Sequence, residues 1–233
     1  MSQDHIVKQY DTDLENIRTR VLQMGGLVER QIVDAMTGLT EGDRQLIEQT
    51  IANDHRVNRL EVELDEACTQ IIARRQPTAV DLRMVMMVVK TITDLERIGD
   101  EAKKIAKVAM TIHEAGAALM PHIDLRHIAE DAVAMLRMAL DAYARLDLNA
   151  AAQVVRQDKE VDAEFKSIMR QLITFMMEDP RTISRSLDLL FIAKSIERIG
   201  DHAKNISEYV VYMAKGRDVR HIGLAEIEKE VAS

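Results

Sequence analysis

The stretch Glu96-Arg97-Ile98-Gly99-Asp100-Glu101-Ala102-Lys103-Lys104-Ile105 returns 101 residues later as Glu197-Arg198-Ile199-Gly200-Asp201-His202-Ala203-Lys204-Asn205-Ile206, with eight of ten positions identical. Chance in a helix-rich composition rarely gives such a match, so the chain reads as an internal repeat. Working outward, a shift of 104 lays Asp54 on Asp158, Val57 on Val161, Ala35 on Ala139 and Asp43 on Asp147, and a shift of 103 lays Pro77 on Pro180. The small changes of offset are differences in loop length near the second turn.

Three apolar stripes fill the first copy. Leu14, Ile17, Val21, Met24 and Val28 recur at steps of three and four, and Ile32, Ala35 and Leu39 continue the series, which is the period of one long amphipathic helix. Thr40-Glu41-Gly42-Asp43 breaks it. A second stripe runs through Val57, Leu60, Leu64, Ala67 and Ile71 until Arg75-Gln76-Pro77, where proline ends the helix. From about Val80 a third carries Val85, Val89, Ile92, Leu95, Ile98, Ala102 and Ile105 on one side. Helices of about 30 residues are about 45 Å long, and short connections force neighbours to run antiparallel. The pattern predicts an all-α chain of two tandem three-helix bundles related by the repeat. The first covers 5–115, a linker 116–123 contains Pro121, and the second covers 124–215. A tail, 216–233, has a weak helical pattern and no counterpart in the first copy.

Composition agrees. Across 233 residues there are 3 Phe, 4 Tyr, no Trp, 9 Gly and 3 Pro, too few turn formers and aromatics for the many short strands of a sandwich or barrel. The balance of 39 acidic against 31 basic residues gives a net charge of −8. That charge, with almost no aromatics for base stacking, argues against nucleic acid as a partner and against bare phosphate as a ligand. Cys68 is alone, which suits a reducing cytosol. The opening residues lack the order of a signal peptide, and no segment is long and apolar enough to span a bilayer, so membrane contact is expected through a protein partner or a surface patch.

The chemistry lies in the repeated Glu-x-x-x-Asp. Residues four apart on a helix sit one turn above each other, so Glu96 with Asp100, and Glu197 with Asp201, present two carboxylates to one point. The second helix adds Asp54, Asn58, Glu61 and Asp65 at steps of four, three and four, and the other copy offers Asp158 and Asp162. Carboxylates converging from adjacent helices suit a hard cation such as Mg²⁺, Mn²⁺ or Fe. The plainer alternative is a solvated face neutralised by Arg97, Lys103 and Lys104. Mid-helix glycine destabilises by roughly 1 kcal/mol against alanine, so Gly99 and Gly200 imply close approach of another helix, or of a metal and its waters. Ferritin-type di-iron chemistry would need Glu-x-x-His, which none of the 7 histidines provides. There is no Walker loop, no Gly-x-Ser-x-Gly and no Cys pair. His202 follows Asp201 but aligns with Glu101, which gives it a surface role at least as readily as a ligand's. The 14 Met residues read chiefly as core filler, with an adaptable protein-binding groove as the other reading.

Leu95 to Ile105, its partner Ile196 to Ile206, and Gln-Pro-Thr-Ala-Val-Asp-Leu-Arg at 76–83 closely resemble the PhoU family of bacterial phosphate-signalling proteins. The similarity covers about 5–215, including the opening His5 to Leu14 and Met24-Gly25. The resemblance implies tandem three-helix bundles and a non-enzymatic negative regulator. Such a protein relays the state of the Pst phosphate ABC transporter to the sensor kinase PhoR and restrains phosphate uptake. It also implies a cytoplasmic protein, often a homodimer, that meets the membrane through partners, with metal ions held by some members. Carried over by position, the metal candidates are Glu96, Asp100, Glu197 and Asp201, with Asp54, Asp158 and Asp162 from the second helices. Asn58 stands where the second copy has Asp162, so the first site is expected to be weaker or to draw on Glu61 and Asp65. A metal-dependent enzyme and a purely structural helical protein are the alternatives to a signalling adaptor. The enzyme lacks an identifiable nucleophile or base.

Overall fold

A computed structural model describes residues 8–116, 120–219, 222 and 224–232. Residues 5–7 of the expected first bundle, with His5 of the family-like opening, and 117–119 of the linker lie outside the described residues. The helices are α1 (Lys8–Glu41), α2 (Arg44–Arg75), α3 (Ala79–Glu114), α4 (Arg126–Arg145), α5 (Leu148–Glu178), α6 (Ile183–Lys215) and α7 (Leu224–Ala232), with a 3-10 turn, Pro180–Thr182, before α6. No strand occurs among the described residues.

The helix breaks fall where the chain supplies caps. Gly42 takes a left-handed φ of 72°, and the Asp43 side chain accepts a hydrogen bond from the Leu46 amide at 3.0 Å, satisfying a free donor of the first turn of α2. The repeat does the same: Asp147 accepts from the amides of Asn149 and Ala150. The recurrence of Asp43 at Asp147 is therefore a capping requirement. Gly42, however, is replaced by Leu146 at φ 54°, a strained choice for a residue with a Cβ. Gln76, at φ 48°, ends α2 immediately before Pro77.

Helices α1, α2 and α3 pack into one bundle and α4, α5 and α6 into the other. Val21, Val28, Ile32, Leu64 and Leu95 are fully buried in the first, and Ile128, Leu136, Leu172 and Ile196 in the second. The bundles join where α3 packs on α6 and α1 on α4. The second contact is tight, since a Cβ built on Gly25 would stand 2.6 Å from Leu140 Cδ1. Two details depart from the pattern of three helices of about 30 residues per copy. Helix α4 has only 20 residues, and the tail forms α7, which lies on α5 with Ile227 buried. The methionines divide: Met87 is buried, whereas Met86 and Met177 are exposed.

Asp94 pairs with His202, and Glu101 with Ser195, so α3 and α6 run antiparallel across the junction. Under the shift of 101, Asp94 corresponds to Ser195 and Glu101 to His202, so the two contacts are one contact repeated by the internal symmetry with different chemistry. His202 Nδ1 lies 2.7 Å from Asp94 Oδ1, which also accepts from Asn205 Nδ2 at 3.1 Å. Ser195 Oγ donates to Glu101 Oε2 at 2.8 Å, while Lys104 and Arg198 reach Glu101 Oε1 at 2.9 and 3.0 Å. The surface role weighed for His202 is thereby corrected. The residue is buried, because position 202 sits two turns from Ser195 on the face of α6 that meets α3.

His202→Ala strands a buried carboxylate at Asp94 with a single amide partner, and the expected loss is about 1–3 kcal/mol. Ser195→Ala leaves Glu101 its two cations, and the expected loss is about 1 kcal/mol or less. Urea unfolding of both variants, read by helicity, checks the order.

Candidate metal centre

The third helix of each bundle places its paired acids beside the second. Glu96 and Asp100 on α3 are half-buried, and Asp54 on α2 is buried. The Glu96 carboxyl is pushed above the usual range, first by burial and then by the charges of Asp100, Glu61 and Asp54, with Arg97 opposing. Glu61 is raised by burial and then by Asp65, with a further push from Asp100, again against Arg97. Residues that were merely periodic in the sequence thus share one negative field between α2 and α3. The second bundle reproduces it, for burial, Glu197 and Asp158 raise Asp201 against the cations Lys194 and Lys204.

The lysines common to both copies have a specific task. Lys103 Nζ stands 2.6 Å from Asp54 Oδ2 and 3.8 Å from Asp100 Oδ1. Lys204 Nζ stands 2.6 Å from Asp158 Oδ2. Each lysine ties α3 to α2, or α6 to α5, by one oxygen of a buried aspartate. Lys104 turns away to Glu101 at the junction, and Lys194 pairs with Glu197. Asp162 lies 3.9 Å from Lys166, one turn along α5, and is not among the acids acting on Asp201. Asn58 and Asp65 are exposed.

Does this arrangement fit a hard cation? One observation favours it: Asp54 is 3% exposed, yet its Oδ1 has no hydrogen-bond partner. A buried carboxylate oxygen without a donor is costly unless something positive meets it. The two motif glycines differ at this level. A Cβ on Gly99 would lie 3.1 Å from Gln31 Oε1, 3.4 Å from Val57 Cγ1 and 3.9 Å from Asp54 Oδ1. A Cβ on Gly200 would lie 3.5 Å from Val161 Cγ1 and 3.7 Å from both Met135 Sδ and Cε, all ordinary contacts. The glycines therefore meet corresponding residues, Val57 with Val161 and Gln31 with Met135, but the first faces polar atoms and the second apolar ones.

The PhoU domain model matches residues 21–109 and 125–210, once on each bundle. The chain belongs to the PhoU family. Among relatives, the phosphate-specific transport system accessory protein PhoU homolog of Pseudomonas putida is 48% identical over 97% of this chain and 89% of its own length. The PhoU accessory protein of Escherichia coli (strain K12) is 48% identical over 98% of this chain and 94% of its own length. The crystal structure of PhoU from Pseudomonas aeruginosa superposes with a TM-score of 0.86 at 45% identity, covering 89% of this chain and 100% of that one. The phosphate transport system regulatory protein PhoU from Streptococcus pneumoniae gives 0.83 at 26% identity, over 90% and 99%. The tandem helical fold read from the repeat is the PhoU fold.

Two features of this PhoU chain escaped the sequence reading. Gln31 lies in the stripe of α1 and gave no signal beyond a polar residue among apolar ones. His127 and Asp131 on α4 and Glu164 on α5 form the set of three metal-ligating side chains, among the described residues, whose ligand atoms all lie within 4.8 Å of one another. Among the described residues, no three of the motif acids come that close together. The repeat held the clue, because the shift of 104 maps these three onto Gln23, Leu27 and Leu60.

Repulsion in the acid field has a measurable consequence. Glu96→Gln in chelator-treated protein removes a carboxylate that is raised by burial and its acidic neighbours, without changing shape, and stability is expected to rise by about 0.3–1 kcal/mol, the scale of a relieved like-charge pair. Chemical denaturation at neutral pH in low salt checks this, and high salt should shrink the gain.

Proposed function

We propose that this chain is a non-enzymatic negative regulator of the phosphate-starvation response and of phosphate uptake, which relays the state of the Pst phosphate transporter to the sensor kinase PhoR. The observation that carries the reading is the duplicated Glu-Arg-Ile-Gly-Asp stretch on the two helices that join the bundles, in a chain matching nearly the whole length of relatives named as accessory proteins of the phosphate-specific transport system. It acts in the cytoplasm as a homodimer and meets the membrane through its partners. No helix among the described residues is long and apolar enough to cross a membrane, which accords with contact by docking.

Divalent metal, Mg²⁺, Mn²⁺ or Fe, belongs to the same reading. Glu96, Asp100 and Asp54 would hold it in the first bundle, and Glu197, Asp201 and Asp158 in the second. Asp162, 3.9 Å from Lys166 one turn along α5, is a further candidate in the second set. Bound there, a cation supplies the positive charge that offsets two neighbouring carboxylates. The chain's own contribution is orientation. Lys103 and Lys204 fix the buried aspartates, and the i, i+4 spacing aims each acid pair at one point.

The test joins site to signal. In phosphate-replete bacteria lacking their own PhoU, the wild-type chain is expected to keep alkaline phosphatase low. A folded fourfold variant, Glu96→Gln, Asp100→Asn, Glu197→Gln and Asp201→Asn, is expected to lose repression and bound metal together. Repression equal to wild type in that variant would separate signalling from these acids. Failure of the wild-type chain to repress would sink the regulatory role.

A further inference from the structure

Gln31 is 5% exposed, and neither its Oε1 nor its Nε2 has a hydrogen-bond partner. A buried amide with both ends unmade destabilises the fold. The position does not require it, since the repeat places Met135 there and fills the same place with an apolar side chain. The amide oxygen points at the bare face of Gly99, 3.1 Å from where a Cβ would stand, and Asp54 Oδ1, also unpartnered, lies 3.9 Å from the same point. Helices α1 and α2 thus each aim a buried, unpartnered oxygen at one spot on α3, the bare face of Gly99, about one turn from Glu96. A cavity of about 60 Å³ between α1 and α2 has Gln31, Thr50 and Asn53 in its wall together with Arg30, Asp34 and Arg56, so the amide adjoins space large enough for water, while the acids of the site lie outside that wall. In the second bundle the thioether of Met135 lies beside Gly200, and Asp158, 6% exposed, is held through Oδ2 by Lys204 just as Asp54 is by Lys103.

We propose that Gln31 is an oxygen ligand of the cation site in the first bundle, and that the two repeats therefore hold unequal sites, the first selective for hard divalent cations. This rests on the metal reading of the acid pairs given above. The chemistry follows from the donor types. Carboxylate and carboxamide oxygens suit Mg²⁺ or Mn²⁺, whereas a thioether is a poor partner for either. Asp54 can serve both neighbours, for Lys103 holds Oδ2 and leaves Oδ1 for the cation.

Mn²⁺ titration of the full-length, chelator-stripped protein, with free Mn²⁺ read by electron paramagnetic resonance, tests the proposal. Wild type is expected to show two affinity classes. Gln31→Met weakens the tighter class by about 10-fold or more, the scale seen when groups supporting a bound metal are lost. Met135→Gln strengthens the weaker class and leaves the tighter one alone. Because Gln31→Met removes an unpartnered amide, its metal-free melting temperature should equal or exceed that of wild type, so lost affinity cannot be ascribed to unfolding. If wild type binds Mn²⁺ dependent on Glu96 and Asp100 while Gln31→Met binds it identically, the role of Gln31 falls and the metal reading stands. The same result with a lowered melting temperature would assign the amide to an internal hydrogen bond with Asp54. No Mn²⁺ binding by wild type would overturn both.

Discussion

Everything in this molecule is arranged around the antiparallel packing of α3 on α6. Each of these helices is the third member of its own bundle and also the contact to the other bundle, so most of its circumference is enclosed. Asp94, Glu101, Ser195 and His202 are buried on the faces that meet, and they form a polar seam within a largely apolar junction. Such a seam contributes less net stability than an apolar one would, but its hydrogen bonds match only in one register. Sliding α6 by a turn would take His202 and Asn205 from Asp94 and leave Glu101 only Lys104 of its own helix.

That enclosure explains where the acids stand. With one side of α3 given to α6 and another to the core, Glu96 and Asp100 occupy the strip beside α2, neither fully wet nor buried. Partial burial and the charges of the neighbouring acids raise the affinity of Glu96 for protons, and by the same physics for cations. The lysine that follows in each copy takes up part of the charge by gripping the buried aspartate of the neighbouring helix. The repeat is symmetric in this scaffold and unequal in its lining. Gln31 against Met135, Glu101 against His202, and Leu27 and Leu60 against Asp131 and Glu164 are the places where equivalent positions carry different chemistry.

Much of the fold was legible in the chain, because the apolar period and the glycine and proline breaks are local signals. The acid pairs were legible for the same reason, being set by spacing on one helix. What stayed hidden depends on which helix faces which. His202, weighed between a surface residue and a ligand, is covered by α3, and Lys103, weighed as one neutraliser of a solvated acid pair, stands 3.8 Å from Asp100 but 2.6 Å from Asp54. Gln31 became visible only when α1 brought its amide to Gly99, a contact between residues 68 positions apart that no periodicity reports. The mid-helix glycines were expected to mark close approach. At Gly200 that expectation meets ordinary packing distances, and the structure gives no steric reason for glycine there.

The central claim is that the acids of the second and third helices act together on a cation, and the most direct test is anomalous diffraction from crystals grown with Mn²⁺. The account predicts an anomalous peak within bonding distance of Glu96 or Asp100 and of Asp54 Oδ1, with Lys103 still on Oδ2, and a second peak beside Glu197 and Asp201. A map with no peak at either acid pair, or with manganese only at His127, Asp131 and Glu164, would contradict it.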